Sequence, residues 1–369
     1  MSPSGSGLLY LRRPVLGPSS ALKVGTVRST RCIHPSFNSA GVESVLIDPQ
    51  YQQFKSALQD ALSEQAPRPA LHRTLMQADA WAAFDLLHRS WGLSGQLRDR
   101  RHELLPMLAQ FVRKLALTPQ EIAALPDTYA AARRSQVLPP LFDERSRWIE
   151  VEWFPEREHD RSADDRRAAR VFVKPRAKPQ QFLNDLTGLL IRNPVLSPDL
   201  KGTLDGVVLV TEDLLIDSSA RVQPSRLTFE VQVRSFARDS AGKFNKTTIA
   251  EYELSRKLLL ANPSSGGLVR VDPEDPAYLP TSGNDYTFAS PTLGEQPPQS
   301  PILGSLRGRC VACHGEDAGA FFTFAKIPLP TRFRPPAVRQ LKSTDDPHAG
   351  YVAQQKMKRT DFGSLWWVR

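Results

Sequence analysis

Two of the three cysteines in this 369-residue chain stand two residues apart, at Cys310 and Cys313, and His314 follows at once. Cys-x-x-Cys-His is the spacing used for covalent attachment of haem c. Residues three apart share one face of a helical turn, so both thiols can reach the two vinyl groups of a single porphyrin. The next imidazole is then presented to the iron as an axial ligand. Gly315 lets the chain turn away directly afterwards. Two other chemistries use part of the pattern. A redox dithiol needs the same cysteine pair but no following histidine, and no βαβ context surrounds it here. A zinc site needs a fourth ligand, for which His348 is the only later histidine.

With Cys310, Cys313 and His314 in place, the chain resembles the c-type cytochromes. The short stretch Leu303 to Arg309 leads into the motif as the first helix of such modules does. The resemblance covers at most residues 302–369. It implies one covalent haem c, with Cys310 and Cys313 as thioether sites and His314 as proximal ligand. It also implies a distal ligand some forty or more residues on. Met357 is the only methionine after the motif and stands at a suitable separation. It falls in AGYVAQQKMKR (349–359), which reads as a helix, whereas the distal methionine of such modules comes from a loop. His348 is the rival ligand. Phe321, Phe322, Phe324 and Ile327 follow the motif closely and could wall a haem or form ordinary core.

The rest of the chain must position this segment, and it resembles no known family. Residues 1–48 read as a disordered or targeting segment. Residues 49–135 read as helical: Phe54, Leu58, Ala61 and Leu62 fall on one face of Tyr51–Gln65, and Leu75, Ala78, Phe84 and Leu87 on one face of Leu71–His88. A third helix is predicted over Leu97–Leu115, with Pro106 as a kink or break. Thr118 with Glu121 three residues on predicts a capping box. Trp81 and Trp91 read as core aromatics. Residues 136–275 read as α+β: strands at Trp148–Phe154, Arg170–Lys174, Gly206–Ile216 and Leu227–Phe236, further strands within Thr248–Leu260 and Leu268–Val271, and a helix over Phe182–Arg192. With no regular βαβ repeat, the sheet is expected to be antiparallel. Residues 276–301 are a Pro-rich linker. The expected fold is therefore an α+β body, helices first and antiparallel strands second, with a small, mostly α-helical cytochrome c-like module at 302–369.

Charge is unevenly placed. The chain carries a formal net charge of +9, and residues 301–369 hold eleven basic and five acidic side chains. Such an excess suits docking of an acidic redox partner, where charge chiefly raises the association rate. No nucleic-acid signature accompanies it. No apolar run is long enough to span a bilayer. Three cysteines exclude a disulfide scaffold. Residues 1–42 contain no acidic residue and lack the apolar core of a secretory signal. Because haem c is attached outside the cytoplasm, the motif implies a periplasmic or otherwise extracytoplasmic location; the favoured reconciliation is a start lying upstream of Met1, the alternatives being a transit sequence at the acid-free N-terminus or a motif without haem.

The expected function is haem-dependent electron transfer. One alternative is an oxidoreductase with its active site in the body and the haem as electron exit. Another is a binding or structural protein in which the haem is ancillary or absent. The body shows no HExxH, GxSxG, Walker or GxGxxG signature. The acidic run with His159, at 156–167, reads as a solvated loop between strands. Cys32, His34, His72, His88 and His102 read as residues without a ligand role.

Overall fold

The computed structural model describes residues 45–65, 68–90, 92–134, 138–143, 145–152, 167–182, 184–185, 203–270, 337–339 and 347–367. The helical part contains α1 (Gln50–Ser63), α2 (Ala70–Arg89) and α3 (Gly95–Lys114), followed by two short helices, α4 (Pro119–Ala123) and α5 (Thr128–Arg133). α1 buries Tyr51, Phe54, Leu58 and Ala61, the three-to-four spacing of an amphipathic helix. α2 buries Trp81, Phe84 and Leu87 against it. Each such side chain removed from water contributes roughly 1.5–3 kcal/mol.

α3 runs through Pro106 without a break. Proline there forfeits one backbone hydrogen bond. Leu104, Leu105, Leu108, Ala109, Phe111 and Val112 are buried on both sides of it and hold the helix together. Thr118 and Glu121 form a reciprocal capping box on α4.

Six strands follow: β1 (Ile149–Glu152), β2 (Arg167–Pro175), β3 (Leu204–Ile216), β4 (Val222–Arg238), β5 (Phe244–Leu254) and β6 (Leu268–Arg270). The chain becomes helical between the last two, at α6 (Arg256–Ala261), where the Ser255 hydroxyl accepts from the Leu258 amide. Gly266 and Gly267 then turn the chain back with positive φ; a Cβ on Gly266 would lie 2.2 Å from the Thr128 carbonyl oxygen. A seventh strand, β7 (Ala337–Arg339), pairs with β1. Every pairing is antiparallel, and the order is β6-β5-β4-β3-β2-β1-β7.

The register gives the sheet two different faces. Phe172, Val208, Val210, Val231 and Tyr252 share one face and pack with Tyr129, Ala132, Leu138 and Leu141. Arg170 lies on that face too, bonded to Glu150 at 3.0 Å and seated over the rings of Phe142 and Phe172. β4 slips its register against β3 between Thr211 and Leu214. Arg226, in this irregular stretch, has a φ of 59°. Its guanidinium is paired at 2.8 Å with Asp127, the same aspartate that caps α5.

The last two helices are α7 (Pro347–Met357) and α8 (Thr360–Trp367). α7 lies against β2 and β4, and α8 against α3 and α2. Ala349, Val352, Ala353, Phe362 and Leu365 belong to the same apolar core as α1, α2 and α3. Within the stretch expected to be a cytochrome-like module, residues 347–367 therefore share the core of the helical part. Trp81 is wholly buried, whereas Trp91, residues 156–166 of the expected loop, Cys32, His34 and most of the predicted Phe182–Arg192 helix lie outside the described residues; Arg167, the end of that expected loop, opens β2.

Candidate functional site

Cys310, Cys313 and His314, with Phe321, Phe322, Phe324 and Ile327, lie outside the described residues. What the fold fixes is where their stretch begins and ends. Arg270 closes β6 on one edge of the sheet, and Ala337 opens β7 on the opposite edge. The motif is therefore carried between the two outermost strands.

Met357 is the last residue of α7. It is partly buried and packs against the core shared with α1, α2 and α3. Its neighbour Lys356 is fully buried and enters an ionic cluster. The Lys356 ammonium lies 2.7 Å from Asp85 Oδ2 on α2 and 3.3 Å from Asp361 Oδ2 on α8. Arg89 donates to Asp361 at 2.9 Å, and Arg359 at 3.2 Å. Lys356 also stands over the Trp81 ring, 5.3 Å from its centroid. Burial would raise the Asp361 carboxyl, but Lys356, Arg89 and Arg359 outweigh it and hold the group well below the usual carboxylate range. Lys356 thus belongs to the basic surplus by count but not to the surface.

The predicted role-free histidines are placed simply. His72 is half-buried and His102 exposed. His88 Nε2 is 3.0 Å from the Ser364 hydroxyl. Burial lowers its pKa, against the opposing pull of Asp361.

One polar feature was not evident from sequence. On the sheet face opposite the Phe172–Val231 core, Glu230, Gln232 and Arg234 alternate along β4. Glu253 stands directly across from Glu230, and Glu251 across from Gln232. Glu251 is 0% exposed, Glu230 1%, Gln232 8% and Arg234 9%. Gln232 Nε2 donates to Glu230 Oε1. The alternation EVQVR (230–234) signals a strand with one polar face, ordinarily a solvated one; burial of that face has no local signature. Among the described residues, no three His, Cys, Asp or Glu side chains are grouped to hold a metal ion.

A pocket among α1, α2 and α3 is lined by apolar groups such as Phe54, Leu58 and Phe111. Its one charged group, Asp79, accepts from both terminal guanidinium nitrogens, Nη1 and Nη2, of Arg256. This lining offers packing, not chemistry. No described helix is long and apolar enough to cross a membrane. Comparison with family models, curated proteins and solved structures found no match to this chain.

Proposed function

We propose that the protein is an exported, mono-haem c electron-transfer protein. The observation that carries this reading is the Cys310-Val311-Ala312-Cys313-His314 sequence. Two thiols and an adjacent imidazole are the donor set that haem c requires, whereas zinc would need a further ligand. In this reading Cys310 and Cys313 hold the porphyrin by thioether bonds and His314 is the proximal ligand. The bound haem supplies a one-electron couple, and the protein's part is to hold it, orient it and limit water around it. Phe321, Phe322, Phe324 and Ile327 supply apolar surface next to the motif for that purpose.

Met357 is the proposed sixth ligand. Its thioether packs on the helical core, so ligation requires the haem to lie beside α7. The basic surplus of the C-terminal stretch favours an acidic redox partner. Covalent haem attachment places the protein outside the cytoplasm.

The test is expression behind a secretion signal in a bacterium with a haem c maturation apparatus, followed by haem staining of a denaturing gel. Haem remains on the wild-type band and is absent from Cys310→Ala/Cys313→Ala. A blank wild-type lane, beside a control cytochrome that stains, overturns the proposal.

A further inference from the structure

One end of the sheet gathers five chain segments: the start of β1, the end of β2, the start of β3, the end of β4 and the start of β5. Most of them bring a basic side chain to that end. Arg147 precedes β1, Arg176 follows β2, Arg238 closes β4 and Lys243 precedes β5. Asp205, the second residue of β3, is set among them.

The Asp205 carboxylate stands between two of these arginines. Arg147 Nη1 lies 3.7 Å from Asp205 Oδ2, and Arg176 Nε lies 3.8 Å from Asp205 Oδ1. Both separations exceed hydrogen-bond reach. One carboxylate is therefore divided between two guanidinium groups and hydrogen-bonds neither through these atoms. Among the described residues it is the only ionic partner of either. The Arg147 side chain is 57% exposed and that of Arg176 44%, so donors of both forks are open to a ligand.

Backbone carbonyls aim the group without neutralising it. Arg147 Nη2 donates to the Pro175 carbonyl at 2.7 Å and to that of Arg176 at 3.2 Å. Arg238 donates to the carbonyls of Gly242 and of Leu204, the neighbour of Asp205. A Cβ on Gly242 would lie 4.0 Å from Arg176 Nη2, which puts the turn between β4 and β5 beside the pair. Asp239 in that turn is engaged by the amides of Ala241 and Lys243. The balance at Asp205 is two cations to one anion before Arg238 and Lys243 are added.

We propose that Arg147 and Arg176 form a binding site for a phosphate dianion, free or at the end of a phosphomonoester. Guanidinium forks match the oxygens of such a group in bidentate geometry. Arg238 and Lys243 add to the attracting field. Asp205 holds the two forks towards each other in the absence of the anion and competes with it. The inference stands on these residues alone and does not depend on the haem reading.

Calorimetric titration of the full-length protein with inorganic phosphate, at an ionic strength fixed with chloride, tests it. Saturable binding is expected in the parent. Arg147→Gln and Arg176→Gln should each weaken it roughly tenfold, the loss of one charge-assisted contact. Asp205→Asn removes the competitor and should tighten binding severalfold, a gain that misfolding does not produce. Two further probes identify the source of the phosphate. Tighter binding of phenyl phosphate than of inorganic phosphate assigns a soluble monoester. Flotation with phosphatidylcholine vesicles containing phosphatidic acid, lost in Arg147→Gln/Arg176→Gln, assigns a lipid headgroup. The inference is overturned if phosphate does not bind above the chloride background. It is equally overturned if Arg147→Gln/Arg176→Gln binds phosphate as the parent does, or if Asp205→Asn binds it no more tightly.

Discussion

Lys356 on α7 and Asp85 on α2 form a buried ion pair, 2.7 Å between Nζ and Oδ2. The pair ties the C-terminal helices to the first half of the chain, and Asp361 and Arg89 complete the cluster. Removing one member of a buried pair leaves the other charge without compensation, at a cost of about 3–5 kcal/mol. Lys356→Ala should lower the free energy of unfolding by that amount, measured by urea denaturation. A loss below about 1 kcal/mol, the range of an exposed pair, would show that the cluster does not fasten α7 and α8.

The cluster also sets a pH dependence. His88 has its pKa lowered by burial. The unfolded chain, titrating near the ordinary value of about 6.5, therefore takes up this proton at a higher pH than the folded chain does. More protons on the unfolded state means that stability falls as pH drops from 7 towards 5. His88→Gln removes this titration and should flatten the slope of unfolding free energy over that window. Asp361 acts lower down. Its depressed pKa gives stability that is full above about pH 4 and lost only as pH falls further. The parent and Asp361→Asn should accordingly differ at pH 7 and converge in strong acid.

Met357 can be tested without disturbing Lys356. Replacing a thioether ligand by water or another group changes both potential and spectrum. Met357→Ala is expected to lower the haem reduction potential and alter the absorption of the reduced protein, recorded by spectroelectrochemical titration. Unchanged potential and spectrum would assign Met357 to packing alone.

Much of the body was legible from local pattern. The spacing of Phe54, Leu58 and Ala61, the Thr118–Glu121 box and the strand-forming runs at Gly206–Ile216 and Leu227–Phe236 are short-range signals, and the corresponding elements formed. Pro106 read as a kink or break because propensity is local; the helix continues through it, and burial on both sides is tertiary. The strand expected within 248–260 forms as the end of β5 and stops at Leu254, where the Ser255 cap starts α6. The Lys356 cluster was illegible for another reason. A lysine in a polar helix reads as exposed, and its partner Asp85 lies 271 positions away, where no periodicity connects them. The buried Glu230–Glu251 face escaped in the same way, since alternation reports which residues share a face but not what covers it.

The central claim is covalent haem on two named cysteines, and the intact mass of the secreted full-length protein measures it most directly. The account predicts a single species heavier than the polypeptide by one haem. Cys310→Ala/Cys313→Ala should show the polypeptide mass alone, and each single variant a loss of stable attachment. A parent protein at the bare polypeptide mass, from a host that matures a control cytochrome in parallel, would contradict the account.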